Sequence, residues 1–459
     1  MNSSPHIPSS SFAVMSRRLC TFIAAVASAA MSLVPSSAVA DELVDRLRAV
    51  AGLTVVGEQT APPGYRFFVL SYEQLVNHAA PWKGSFQQRL TLLHRSIASP
   101  TIVVTDGYGL PEAPSRSEPS QIVDGNELRI EHRFFLSSRP DPADWGDLTI
   151  EQAAADHHRV IIALKPVYVG RWLTTGRSKG GMAAVYHRRF YPLDVHGTVA
   201  YVAPNDVIDR RDFYIQFFDQ VGTPDCRKRV KEFQREALVR RAEIVPFLNA
   251  RAAASGQSYT ILGSAERALD LHVVDWGLGF WMFGGQEFCA VIPPPDAPTA
   301  FIVAGLDAVL GLDFYTDQGL EPSVPAAYQL GTQLGYPILP EAHLADLLLF
   351  PGEDVPRSFV PTEIEMARFD RSAMRDIDVF VRMFGSELMF VYGQNDPTTA
   401  EAFERGPGTR DSFWYVVPEA NHSARIAGLP SMQREEAMAV IRRWAGEATV
   451  SSALRDRHH

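Results

Sequence analysis

One serine set between glycines is the feature of this sequence best suited to chemistry. In the stretch "WLTTGRSKGGMAAVYHRRFYP", an apolar, β-branched run ends at Gly176, Ser178 follows, and Gly180 and Gly181 precede apolar residues at helical spacing. Gly176-Arg177-Ser178-Lys179-Gly180 fits G-x-S-x-G, which at a strand-to-helix seam makes a nucleophile elbow. So tight a turn strains the serine backbone and leaves no room for a Cβ two residues away on either side. It pushes the hydroxyl above the sheet edge and leaves the Lys179 amide at a helix start, aimed at a developing oxyanion.

A serine alcohol needs a base, usually histidine, and the base needs an orienting carboxylate. In the α/β-hydrolase arrangement these follow the elbow as acid, then histidine. Beyond the elbow and the helical stretch that directly follows it lie six histidines: His196, His272, His343, His422, His458 and His459. His196 is too close behind the elbow, His272 and His343 fall in an inserted region, and the last two sit at the chain end. His422 remains, in "PEANHSA" after the strand-like "FWYVV". The acid should end the preceding strand, and "LMFVYGQNDP" places Asp396 there, 26 residues before His422. The second oxyanion donor should come from an early strand-to-helix loop; "TIVVTDGYGL" nominates the Tyr108 amide, after Gly107.

These residues need a sheet to hold them. "GYRFFVLSYEQLVNH", "TIVVTDGYG", "NELRIEHRFFLSS", "RWLTTG" and "TVAYVAPND" read as strands, with "TIEQAAADHHRVIIAL" helical among them. Alternation of this kind predicts a mostly parallel sheet in an α/β protein. From Asp206 to Ala373 the character changes. "DCRKRVKEFQREALVRRAEIVPFLNARAAA" reads as one long charged amphipathic helix, "VVDWGLGFWMFGGQEF" as an aromatic loop, and "AAYQLGTQLGYPILP" as irregular. After it, strand, turn and helix return. The expected organisation is a leader over residues 1–40, a hydrolase core over 41–205, a mainly helical cap over 206–373, and the rest of the core over 374–459. The cap is thus inserted between the strand after the nucleophile helix and the acid-bearing strand. His157 and His158 read as surface residues, without metal-ligand spacing.

Composition excludes several roles. The 459 residues carry 43 Lys and Arg against 53 Asp and Glu, a net charge of −10, which argues against a nucleic-acid partner. Arg17 and Arg18 precede the apolar "LCTFIAAVASAAMSLVP", and Ala38 and Ala40 form an A-x-A site. That pattern is a signal peptide, with the mature chain starting at Asp41 and no membrane attachment afterwards. The run is short and rich in small residues for a membrane anchor. Export implies a secreted or periplasmic protein. The two cysteines left, Cys226 and Cys289, then either pair as a disulfide or stay as buried thiols. No Cys/His metal spacing is present, and no metal or other cofactor is expected.

The stretch "GRSKGGMAAVYHRRFYPLDVHGTVAYVAPND" resembles the elbow region of the secreted bacterial prolyl tri- and tetrapeptidyl aminopeptidases, serine exopeptidases of the α/β-hydrolase type. "SFQQRLTLLHR", "TDGYG", "EHRFFLSSRP", "LTIEQAAADHHR" and "YGQNDP" are similar to blocks of the same family, over roughly residues 64–206 and 385–430. The resemblance implies Ser178 as nucleophile, Asp396 as acid and His422 as base, beneath a helical cap. It implies release of N-terminal tri- or tetrapeptides, often after proline, from peptide substrates with a free N-terminus. A secreted carboxylesterase or lipase would use the same triad and is the alternative. A free α-ammonium calls for a carboxylate, and "NDVIDRRDF" offers Asp206 and Asp209. A proline-sized pocket calls for aromatic walls, for which Trp276, Phe280, Trp281, Phe314 and Tyr315 are candidates.

Overall fold

Nine strands form one sheet in the order β1-β2-β3-β5-β4-β6-β7-β8-β9. The computed structural model describes residues 36–207 and 213–447. The strands are β1 (Leu53–Gln59), β2 (Arg66–Leu75), β3 (Ser85–His94), β4 (Thr101–Thr105), β5 (Asn126–Ile130), β6 (Trp172–Arg177), β7 (Thr198–Tyr201), β8 (Leu388–Gly393) and β9 (Phe413–Val417). From β4 to β9 all pairings are parallel, while β1, β2 and β3 run antiparallel to their neighbours. All of these strands lie in the unit Val44–His459, which is distinct from Met1–Leu43. The expected leader lies outside the described residues up to position 35; its last residues open a helix, Ser36–Arg48.

Every residue of β4, β7 and β8 is buried, the mark of parallel strands covered on both faces. Side chains alternate between those faces. Leu388, Phe390 and Tyr392 pack with helices Ile150–Leu164, Lys179–Phe190 and Ala373–Phe384. Met389 and Val391 pack with helix Ser431–Trp444 on the opposite face. This is the α/β-hydrolase fold, and it delivers the ends of β4, β6, β8 and β9 to one edge.

Between β7 and β8 the chain builds a helical layer with a core of its own. Helices Pro224–Val239, Arg241–Ala254, Ala265–Gly279 and Thr299–Leu310 bury Phe233, Leu248, Leu269, Trp276 and Leu306 in one cluster. Cys226 and Cys289 are joined as a disulfide, Cα to Cα 5.4 Å, tying the first of these helices to the segment Gln286–Val291. A loop of 63 residues closed in this way is worth about 4 kcal/mol in the chain-entropy account.

Four sequence expectations are corrected here. The single long helix is two, broken at Arg240, whose guanidinium holds Glu236 and the carbonyls of Pro295 and Ala297. The aromatic "loop" is the end of helix Ala265–Gly279 and a π-helical turn, Phe280–Gly284. Gly279 serves close packing: a Cβ there would sit 2.7 Å from Leu310. β5 stops at Ile130, because Phe134 and Leu136 take left-handed conformations just beyond it, φ 72° and 43°. His157 is buried, its ring edge-on to His187 of the adjoining helix, and His158 pairs with Asp194 at 2.8 Å. Among the described residues no cluster suited to a metal ion is present.

Candidate active site

Ser178 stands between the end of β6 and helix Lys179–Phe190 with φ 53° and ψ −128°. That is a strained conformation for a residue with a side chain, of the kind held only where the surroundings over-determine it. The surroundings here are the glycines. A Cβ on Gly176 would overlap the Gly180 carbonyl, and one on Gly180 would overlap the Thr105 carbonyl and meet Asp106 O at 2.6 Å. Gly107, at φ 76°, closes the other side, where a Cβ would meet Gly180 N at 2.6 Å. The β4 loop is therefore packed backbone to backbone on the elbow. Although Ser178 occupies the helix cap, its side chain makes no capping bond. The hydroxyl is left for other work, and the first-turn amides behind it have no intrahelical acceptor.

Asp396 follows β8 and is fully buried. Its Oδ2 accepts from Thr398 Oγ1 at 2.6 Å, and its Oδ1 from the Thr398 amide at 3.1 Å. The same Oδ2 lies 2.9 Å from His422 Nδ1. This pairing fixes the imidazole with Nδ1 as donor and turns Nε2 into the acceptor. Among the described residues Nε2 makes no hydrogen bond, with Ser178 or any other group; such contacts tighten in the substrate complex.

Two side chains beside the serine, those of Arg177 and Lys179, set the frame; sequence reasoning assigned a role to the Lys179 amide alone. Arg177 donates to the carbonyls of His422 and of Ala424, clamping the histidine loop to the residue before the nucleophile. Lys179 is buried and donates through Nζ to Gly107 O at 2.7 Å. The ammonium lies 5.5 Å from the Tyr108 ring centre and 5.2 Å from that of Phe135. Burial pushes the Lys179 amine well below its ordinary value. Tyr108 was singled out for its amide, but its phenol also faces the site. Burial raises the pKa of that phenol, and the Ser178 hydroxyl beside it pulls the other way.

The cap reaches the same place. The His422 amide donates to Met282 O at 3.1 Å, and Asn421 Nδ2 donates to Gly284 O at 2.9 Å. The Phe283 ring stands edge-on to the imidazole, 6.3 Å between centres. A cavity of about 240 Å³ opens here, lined by Tyr108, Asp275, Met282, Phe283, Phe314 and Tyr315 among others.

The site's architecture is that of a hydrolase, and sequence comparison names the family. A model of the PS-10 peptidase S37 family matches residues 36–455. The chain belongs to the peptidase S37 family. A prolyl tri/tetrapeptidyl aminopeptidase of Streptomyces mobaraensis is 47% identical over 410 residues, 89% of this chain and 86% of that protein. Among solved structures, a proline iminopeptidase of Mycobacterium smegmatis aligns with 85% of this chain and 99% of its own, at 15% identity and a TM-score of 0.37. The chain is accordingly a serine peptidase.

The remaining candidates divide. Phe314 and Tyr315 line the cavity of this S37 peptidase. Trp276, Phe280 and Trp281 do not: they are buried in the cap core, where Trp276 packs on Phe233 and Phe280, and Phe280 stands edge-on to Trp281. Helical spacing carries them to the face that holds the cap together. Asp206 is buried against Gly335, where a Cβ would approach its carboxyl carbon to 2.5 Å, and it does not line the cavity. Asp209 lies outside the described residues. Asp275 went unnoticed, being one acid inside an apolar helical stretch.

Proposed function

We propose that this peptidase removes tri- or tetrapeptides from the free N-terminus of peptide substrates, preferring to cut after proline, through an acyl-enzyme on Ser178. The Asp396–His422 hydrogen bond beside the elbow carries the mechanism; the relative's activity carries the substrate class. His422 Nε2 takes the Ser178 proton as the hydroxyl attacks the carbonyl. The amides of Lys179 and Tyr108 hold the oxyanion, with the Tyr108 phenol as a further donor on the same loop. The imidazolium, stabilised by Asp396, protonates the leaving amine, and water then releases the peptide by the reverse path. A fluorophosphonate should label the protein and fail on Ser178→Ala. Ala-Ala-Pro-nitroanilide should be cleaved and its N-acetyl derivative spared. Cleavage of short acyl esters with neither nitroanilide cut would favour the esterase reading.

We also propose export to the periplasm or the medium. The leader pattern and the Cys226–Cys289 bond, which persists in oxidising compartments, support it. N-terminal sequencing of the exported protein should begin at Asp41; recovery of an unprocessed chain from the cytoplasm would reject it.

A further inference from the structure

Two buried carboxyls in the cap have no counter-ion among the described residues. Asp275 lines the cavity that begins at Tyr108 and Phe283, and it is 8% exposed. Its Oδ2 accepts from Tyr315 Oη at 2.7 Å, while Oδ1 has no hydrogen bond among the described residues. Asp354 lies behind Tyr336, which is shared between this cavity and a neighbouring one. Asp354 is 9% exposed; its Oδ1 accepts from Tyr336 Oη at 3.0 Å, and its Oδ2 is buried without any partner. Among the described residues neither acid pairs with an arginine, lysine or histidine. Elsewhere in this cap the acids do find cations: Arg241 holds Asp270 and Arg251 holds Asp313.

We propose that Asp275, backed by Asp354, binds the α-ammonium of the substrate and so makes this site an exopeptidase. The proposal rests on the function argued above and replaces Asp206 and Asp209 as the amine's partners. An isolated buried carboxylate is costly, and a pair more so, unless a cation arrives. Burial raises Asp275 to about 7, and burial together with the Asp275 charge raises Asp354 well above its ordinary value. An ammonium offers three donors, enough for the open Oδ1 of Asp275 and further acceptors around it. The rest of the wall combines apolar residues such as Leu278, Phe283, Phe314 and Phe359 with the hydroxyls of Tyr108, Tyr336 and Ser323, so Asp275 is its one acidic group among the described residues. Three extended residues reach about 10 Å, so an amine anchored at the acids sets how much chain lies between it and Ser178.

The test is the ratio of kcat/KM for Ala-Ala-Pro-nitroanilide over its N-acetyl derivative, measured in wild type, Asp275→Asn, Asp354→Asn and Tyr315→Phe. General loss of competence cancels in the ratio. Losing one partner of a desolvated charge pair should lower it about a hundredfold in Asp275→Asn, mainly through KM of the free peptide. Asp354→Asn should lower it less, and Tyr315→Phe, which keeps both acids, least of all. If Asp275→Asn does not fold, Asp354→Asn carries the test. A wild-type ratio retained in the variants overturns the acidic anchor and leaves the exopeptidase reading standing. A ratio near one in the wild type itself overturns both.

Discussion

Replacing Asp396 with asparagine should lower kcat about 10⁴-fold with little change in KM. The carboxylate is fully buried, and its Oδ2 receives the Nδ1 proton of His422 at 2.9 Å. A carboxylate can only accept there, so Nε2 is left with its lone pair facing outward. An amide can present its NH₂ group instead, which inverts the tautomer and makes Nε2 a donor. An imidazole in that state cannot take a proton from Ser178. With the NH₂ toward His422, the asparagine carbonyl still accepts from the Thr398 amide, and the Thr398 hydroxyl can accept from the NH₂ while donating to Val202 O, so the fold should persist. Steady-state kinetics on a free tripeptidyl nitroanilide, with thermal melting as the control, checks this. A loss of less than tenfold would mean that another group orients the base.

Gly180→Ala should cost about 3 kcal/mol of stability and at least 10²-fold in kcat. The new methyl would be driven into the carbonyl oxygens of Thr105 and Asp106, both backbone atoms. Neither can rotate away as a side chain could. Relief requires the β4 loop to back off from the elbow, and that loop carries Gly107 and Tyr108. A single methyl therefore strikes both the packing of the sheet edge and the oxyanion donors. Gly57→Ala is the matched control: a Cβ there meets nothing within 4 Å, so its cost should stay within about 0.5 kcal/mol. Denaturant melts with parallel activity assays separate the two outcomes. A Gly180→Ala enzyme as stable and active as the parent would show that the elbow is not closely packed.

Much of the core was legible because its signals are local. Apolar runs bounded by turns mark β4, β6, β8 and β9, and Ser178, Asp396 and His422 each sit one short loop beyond such a run. The cap was legible only as an interruption. "DWGLGFWMF" looks like a loop because glycine breaks isolated helices, yet Gly279 is there to let Leu310 approach. Which aromatics face a ligand depends on helix rotation about Phe233 and Gly305, which no local pattern records. His157 appeared exposed for a related reason: the helix that buries it, Lys179–Phe190, comes later in the chain. Asp275 and Asp354 are far apart in sequence, and only the folded cap brings the charge of one to bear on the other. Arg177 and Lys179 fill the variable positions of the motif, where a pattern asks nothing, and their work is visible only from the loops they grip.

The bonds from the His422 amide to Met282 O and from Asn421 to Gly284 O have a mechanical consequence. The base is thereby gripped from two sides, by Arg177 of the elbow and by the helical layer above it. A change at Met282 or Gly284 is felt at the imidazole, although neither residue belongs to the hydrolase sheet.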